Sequence, residues 1–143
     1  MGVRVRVKLE NLIRKNKVVI TSALVNSGYE ARHPEICLPK TLAEKLGYYP
    51  LPEKAVPVSV RTSGGIVREV FVPGAIKVTL LSNEGNELGS VVADVSISEF
   101  ENEVLISDAL ASALKIAVED FFLGLWRLKD EKKIRHSAPP EYW

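Results

Sequence analysis

The sequence predicts one mainly β domain with two short helices. Val3 to Leu9 alternates apolar and polar side chains, and this period of two is typical of a half-buried strand. Val18 to Val25 is a nearly continuous apolar run, as expected for a central strand. Further along, Gly64 and Gly65 separate two runs rich in β-branched residues, a pattern typical of a hairpin. Together these three patterns favour a β-rich fold.

Composition is that of an ordinary globular domain. The chain has 143 residues, of which 46% are hydrophobic and 26% charged, enough to bury a core without a disulfide or metal. A formal net charge of +1 offers no electrostatic footprint for nucleic acid or an anionic membrane, so we expect neither as a partner. The absence of glutamine and the abundance of Val, Glu, Lys and Arg resemble the composition of thermophile proteins.

Cysteine content and hydropathy indicate in which cellular compartment the protein is expected. Cys37 is the only cysteine, which excludes an internal disulfide and gives no sign of an oxidising environment. No stretch approaches the roughly 20 apolar residues of a membrane span, and the start of the chain lacks the apolar core of a signal peptide. We therefore expect a cytoplasmic protein.

The remaining elements follow from local patterns. The first strand is predicted to be an edge or half-buried strand, and the chain after Gly28 to be irregular as far as Leu38-Pro39. The predicted helices run from Lys40 to Leu46, ending at Gly47, and from a cap at Ser107 or Asp108 to Lys115, and a loop is predicted from Tyr48 to Pro52. Two hairpins are predicted, the first of Val56–Thr62 and Ile66–Val72 and the second of Ala75–Leu81 and Leu88–Ile97. The last predicted elements are a short strand at Val104–Ile106 and a strand or strand pair at Phe121–Leu128.

No break in composition marks a linker. We predict one domain over residues 1–128, followed by a charged, proline-containing tail over residues 129–143. Charge and two consecutive prolines favour a mobile tail.

Three motifs in order resemble the retroviral-type aspartic peptidases. Leu24-Val25-Asn26-Ser27-Gly28 is similar to their active-site strand, which ends in two hydrophobic residues, Asp, Thr or Ser, and Gly. Val60 to Gly65 resembles their glycine-tipped flap, and Val104 to Leu110 resembles the two hydrophobic residues, glycine and helix that follow. The resemblance spans about Val18 to Leu128.

The resemblance implies a retropepsin-like closed β-barrel, a polypeptide substrate or ligand, and no cofactor or metal. Because only one such motif occurs, it also implies a two-fold homodimer with the site on the axis. The corresponding catalytic positions are Asn26, Ser27 and Gly28. The corresponding substrate-binding positions are Tyr29, Thr62, Ser63, Gly64, Gly65 and Ile66.

Asn26 departs from that pattern at its chemical centre. Aspartic peptidases use two carboxylates that share one proton, whereas an amide neither gains nor loses a proton near neutral pH. Loss of such an acid/base group costs roughly 10² to 10⁴ in rate, and a dimer loses both. Three explanations of Asn26 remain open: a natural non-catalytic protein, an engineered change of Asp to Asn, and deamidation that restores Asp.

Ser107 is the second departure, because the family pattern has glycine there. Its side chain would crowd the turn beneath the site and relax the catalytic geometry, or it is simply a helix N-cap. The sequence thus favours an inactive or severely impaired aspartic-peptidase-fold homodimer that retains peptide binding. The alternatives are a genuine endopeptidase whose Asp was changed to Asn, and a purely structural dimerisation domain whose cleft is closed by Tyr29.

Other polar residues receive simpler interpretations. His33 and His136 have no metal-ligand spacing and are expected at the surface. Cys37, between two apolar residues, is expected to be buried rather than nucleophilic. Asp94 and Asp108 are expected to be solvated or capping, and Trp126 to pack rather than to stack on a ligand.

Overall fold

The computed structural model describes residues 2–143, which form ten strands and two helices. The strands are β1 (Arg4–Asn11), β2 (Val18–Val25), β3 (Glu35–Pro39), β4 (Val56–Thr62), β5 (Gly65–Leu81), β6 (Glu87–Ser98), β7 (Val104–Ile106), β8 (Ile116–Asp120), β9 (Leu125–Leu128) and β10 (Arg135–His136). The helices are α1 (Lys40–Lys45) and α2 (Asp108–Ala113).

Six of the strands close into a mixed barrel. They lie in the order β1, β2, β7, β3, β6, β5, and the ring closes because β1 pairs with β5 as well as with β2. The pairs β2–β7 and β3–β6 are parallel, and the other pairs of the barrel are antiparallel. The prediction of a mainly β protein with two short helices is therefore confirmed, and the barrel is closed.

Strand β5 is longer than the sequence pattern predicted. It runs without a break through both predicted segments, Ile66–Val72 and Ala75–Leu81. Gly74, at φ +56°, lies at a shift in the register between β5 and β6. At this shift β5 changes its partner on one side: it pairs with β4 as far as Phe71 and with β1 from Ile76 onward. Hence β4 and the first part of β5 project from the barrel as a hairpin.

The core is built largely from the inward faces of the barrel strands. The four alternating apolar residues Val3, Val5, Val7 and Leu9 are fully buried, which confirms the half-buried strand. The suggestion of an edge strand is wrong, because β1 has a partner on each side. The core is completed by Leu42 of α1, Leu46 directly after α1 and Leu110 of α2, all fully buried.

Two segments differ from their predicted structure. Residues 35–39, predicted to be irregular, form β3 between β6 and β7. This strand is buried on both faces, so it shows no alternation of apolar and polar residues. Near the end of the chain, the predicted strand Phe121–Leu128 begins only at Leu125, and β8 lies earlier, at Ile116–Asp120. Together with β10, these strands form a separate three-stranded sheet.

Residues 129–143 lie against the barrel, in contrast to the expected mobile tail. The backbone N–H of Ala138 donates to the Arg4 carbonyl at 2.8 Å. A Glu141 carboxylate oxygen accepts from the Ser22 N–H at 2.6 Å, and the Trp143 indole donates to Thr21 Oγ1 at 3.1 Å. These contacts hold the segment against β1 and β2.

Candidate functional site

Asn26 lies at the edge of the barrel where two parallel strands end together. Val25 of β2 pairs with Ile106 of β7, and the Asn26 N–H donates to the Ile106 carbonyl at 3.2 Å. Because parallel neighbours place their carboxyl ends at one edge, residues 26 and 107 are brought side by side although they are far apart in sequence. Two of the three motifs therefore meet at one place.

The loop after β2 is organised by the Asn26 side chain. Its Oδ1 accepts a hydrogen bond from the Gly28 N–H at 3.0 Å, and the Tyr29 N–H donates to the Asn26 carbonyl at 3.0 Å. A Cβ on Gly28 would come within 3.3 Å of Oδ1, so a side chain there would press on this hydrogen bond. Ser27 is exposed, and its hydroxyl makes no hydrogen bond to residues 2–143.

A hairpin of β4 and the first part of β5 faces this loop. At its turn, Thr62 Oγ1 donates to the Gly65 carbonyl at 2.8 Å and accepts from the Gly64 N–H at 3.2 Å. Gly65 has φ +116°, a conformation that L side chains rarely adopt. The turn is thus closed by its own hydrogen bonds, whereas the strands on either side are largely exposed.

A cleft of about 880 Å³ lies between the hairpin and the end of β2. The residues that line it come from the loop after β2, from β3, from the hairpin and from the neighbourhood of β7. They are Asn26, Gly28, Tyr29, Glu30, Glu35, Cys37, Ser59, Val60, Arg61, Thr62, Ser63, Glu69, Glu101 and Leu105.

The cleft brings together some of the residues selected from sequence and leaves out others. Asn26, Gly28, Tyr29, Thr62 and Ser63 line it. The other four, Ser27, Gly64, Gly65 and Ile66, are exposed beside it or at the turn of the hairpin and do not form its wall.

Tyr29 and Glu35 form one wall of the cleft. The Tyr29 hydroxyl donates a hydrogen bond to a carboxylate oxygen of Glu35. Burial raises the pKa of Tyr29, and the hydrogen bond to Glu35 raises it further. Burial also raises the pKa of Glu35, the hydrogen bond from Tyr29 opposes this rise, and the negative charges of Asp94 and Glu69 add to it. The Tyr29 ring is therefore held at the wall, and the cleft beside it stays open.

Sequence reasoning missed the acidic residues of the cleft. Glu69 and Glu35 are half-buried, and Glu69 Oε1 accepts from the Ser96 hydroxyl at 2.5 Å. Glu30 and Glu101 are exposed at the rim. These four come from separate elements, and no motif links them. The one available signal was a carboxylate inside a strand rich in β-branched residues, which applies to Glu69.

Ser107 lies beneath the loop as an N-cap of α2. Its hydroxyl oxygen accepts from the Leu110 N–H at 3.2 Å and from the Glu35 N–H at 3.1 Å, and the residue is fully buried. The helix-capping interpretation is thus confirmed. The side chain does not crowd the turn, because it satisfies two backbone donors that glycine would leave to other partners.

The remaining polar candidates are placed as follows. His33 and His136 are exposed, and Cys37 is buried with 4% of its surface exposed. Asp94 accepts from the Gly74 N–H at 2.7 Å, and Asp108 accepts from the N–H groups of Ala31 and Ala109. Trp126 is 1% exposed and packs in the core. Both aspartates therefore serve as backbone acceptors.

Residue 26 presents a neutral amide to the cleft. Asn26 already uses Oδ1 as an acceptor within its loop, and its amide nitrogen can only donate. The arrangement can bind polar groups by hydrogen bonds, but residue 26 cannot remove a proton from water.

Comparison with known proteins adds no family assignment. A scan against protein-family models finds no match, and a search among curated proteins finds none either. Neither helix in residues 2–143 is long and apolar enough to cross a membrane.

Proposed function

We propose that this protein is a non-catalytic, peptide-binding homodimer with a retropepsin-like fold, in which Asn26 takes the place of a catalytic aspartate. The observation that carries the proposal is the cleft between the β4–β5 hairpin and the loop that begins with Asn26. Its volume of about 880 Å³ falls in the range of sites that hold small ligands or short peptide segments.

The hairpin supplies a feature suited to extended peptides. Strand β4 pairs with β5 only and forms the edge of its sheet in the part of the chain that the structure describes. Ser59, Val60, Arg61 and Thr62 of this strand line the cleft. An unpaired strand edge presents main-chain donors and acceptors to which an extended peptide can add as a further strand. Such binding needs no carboxylate at residue 26.

The homodimer follows from the single copy of the motif. One chain contributes one Asn26 loop and one hairpin, and a two-fold axis beside the loop would bring the second Asn26 into the same cleft. Two facing amides can hydrogen-bond to each other without the like-charge repulsion that forces a carboxylate pair to share a proton.

The enzyme alternative is that the scaffold carries an aspartate in its active form. An Asp side chain at position 26 would accept the Gly28 N–H as Asn26 Oδ1 does, so the loop is compatible with either residue. A purely structural dimer is less well supported, because the cleft beside Tyr29 is open.

The test compares the unaltered protein with Asn26→Asp in two assays. The first is digestion of a denatured protein substrate from acidic to neutral pH, with and without an aspartic peptidase inhibitor. The second is binding of fluorescein-labelled peptides, measured by anisotropy. We expect the unaltered protein to bind peptides and to cleave nothing, since loss of the base costs roughly 10² to 10⁴ in rate for each carboxylate.

Each outcome is informative. Inhibitor-sensitive cleavage by Asn26→Asp alone would identify a peptidase scaffold silenced at one side chain. Cleavage by neither form, together with peptide binding, supports the binding function. Absence of both cleavage and peptide binding would leave only a structural dimer and would overturn the proposal.

A further inference from the structure

We infer that the cleft selects extended peptides that carry lysine or arginine side chains. The inference rests on the proposed peptide-binding function and adds the chemical class of the ligand. Two separate observations carry it: the unpaired edge of β4, which favours an extended main chain, and the charge of the side chains that surround the cleft.

The lining of the cleft is acidic although the chain as a whole is not. Glu30, Glu35, Glu69 and Glu101 line it, and Arg61 is its one basic residue. The whole chain, in contrast, has a formal net charge of +1. Negative charge is therefore concentrated at the cleft, where low-dielectric walls strengthen its field toward a cationic ligand.

The four carboxylates are not neutralised by neighbouring cations. Within residues 2–143, none of them forms an ion pair, whereas eight ion pairs occur elsewhere in that part of the chain. Glu35 accepts from the Tyr29 hydroxyl, and Glu69 from the Ser96 hydroxyl. Both partners are neutral, so they orient the carboxylates without cancelling their charge.

The four carboxylates lie at two depths in the cleft. Glu30 and Glu101 are exposed at the rim, where they can attract a cation at long range. Glu35 and Glu69 are half-buried deeper in the cleft, next to Cys37, a residue that is 4% exposed and whose thiol makes no hydrogen bond in the described chain. A long basic side chain suits this arrangement of exposed and half-buried carboxylates, because its methylenes can lie on apolar surface while its charge reaches the carboxylates.

An organic cation fits better than a metal ion. No three of the His, Cys, Asp and Glu side chains in residues 2–143 are grouped closely enough to hold a metal. Lysine and arginine, by contrast, can meet separated carboxylates one at a time along an extended strand, because alternate side chains of a strand point to one face.

The test uses three short fluorescein-labelled peptides in which valine alternates with lysine, glutamate or serine. We expect the lysine peptide to bind at least roughly tenfold more tightly than the other two at about 0.05 M NaCl. Its affinity should fall as salt rises to roughly 0.5 M, because the Debye length then shortens to a few ångströms.

Substitutions of residues that line the cleft test whether the cleft is responsible for the preference for the lysine peptide. E30Q/E101Q removes two exposed carboxylates and should weaken the lysine peptide by roughly five- to tenfold. R61Q removes the one basic residue and should strengthen the same peptide by roughly twofold. The matched control is E53Q/E84Q, which makes the same change in net charge at exposed positions outside the cleft and should leave the affinity unchanged.

The outcomes separate this inference from the function on which it rests. Equal binding of all three peptides would keep the peptide-binding function and overturn selection by charge. Equal weakening by E30Q/E101Q and E53Q/E84Q would also overturn it, since overall charge would then explain the effect. If no peptide binds, the proposed function itself fails.

Discussion

Asn26 and an aspartate have nearly the same shape, so the geometry around residue 26 is compatible with both. Oδ1 accepts the Gly28 N–H at 3.0 Å, and a carboxylate oxygen would do the same. The difference is in proton chemistry, because an amide does not titrate near neutral pH. At this position the identity of the side chain, and not the geometry of the loop, decides whether residue 26 can gain or lose a proton.

Glu35 illustrates the opposite case, in which surroundings change the chemistry of a residue. Burial and the charges of Asp94 and Glu69 raise the pKa of its carboxyl above the ordinary value of 4.5, in spite of the hydrogen bond from Tyr29. A raised pKa means that the folded state binds the proton more tightly than the unfolded state. Its stabilising contribution is present below pH 4.5 and is lost as pH rises through the folded pKa.

We therefore predict that E35Q is at least as stable as the unaltered protein at pH 7. Glutamine carries no charge to desolvate, and its carbonyl oxygen can still accept the Tyr29 hydroxyl. The advantage should shrink as pH falls toward 4.5, where Glu35 becomes neutral. Urea denaturation at several pH values measures it. With exposed E53Q as the control, a stability difference that grew on acidification would contradict the sign of this pKa shift.

At the scale of elements, one long strand connects the barrel to the cleft. Residues 76–81 of β5 close the barrel against β1, and residues 65–71 form the hairpin with β4. The register shift near Gly74 separates the two roles. Consequently, the hairpin is anchored through β5 to the most buried part of the fold while its other edge stays unpaired.

The segment of residues 129–143 is a second element whose role depends on tertiary contacts. Trp143 packs against the core, and its indole N–H donates to Thr21 Oγ1. The backbone N–H of Trp143 donates to the Asn102 carbonyl at 2.8 Å. Thr21 is fully buried, so the Trp143 indole supplies a partner that water cannot readily replace.

We predict that W143A lowers the free energy of unfolding by about 1 to 3 kcal/mol, through lost packing and the loss of the hydrogen bond to the Thr21 hydroxyl. Chemical denaturation followed by circular dichroism gives the value. Y142A is the matched control, because the neighbouring Tyr142 is 61% exposed and its removal should change stability little. Equal effects of the two substitutions would show that Trp143 does not hold this segment.

At the scale of the whole molecule, the proposed dimer makes a prediction about pH. We expect sedimentation at twice the chain mass of 15.8 kDa, with a dimer affinity that changes little from pH 5 to 8, since facing amides do not titrate. Asn26→Asp should instead show affinity that follows the titration of a carboxylate pair. Dissociation of the unaltered dimer along a carboxylate-like titration would contradict the arrangement of Asn26 facing Asn26.

Local patterns predicted much of the fold. The exact bounds of β2, β4 and β7 follow from apolar runs between charged or turn residues, and Ser107 was one of the two residues predicted to cap α2. The continuity of β5 through Gly74 and the burial of β3 on both faces were not predictable in this way. Both depend on which strands lie alongside, and a single segment of sequence does not contain that information.

The sequence by itself determined most of the secondary-structure types, the position of the Asn26 loop and the lack of a titrating group at residue 26, because these depend on neighbouring residues and side-chain chemistry. Only the tertiary structure decided the closure of the barrel by β1 and β5 and the packing of residues 129–143. It also decided the gathering of Glu30, Glu35, Glu69 and Glu101 around one cleft. These features join residues distant along the chain, and they exist only once long-range strand pairing has placed those residues together.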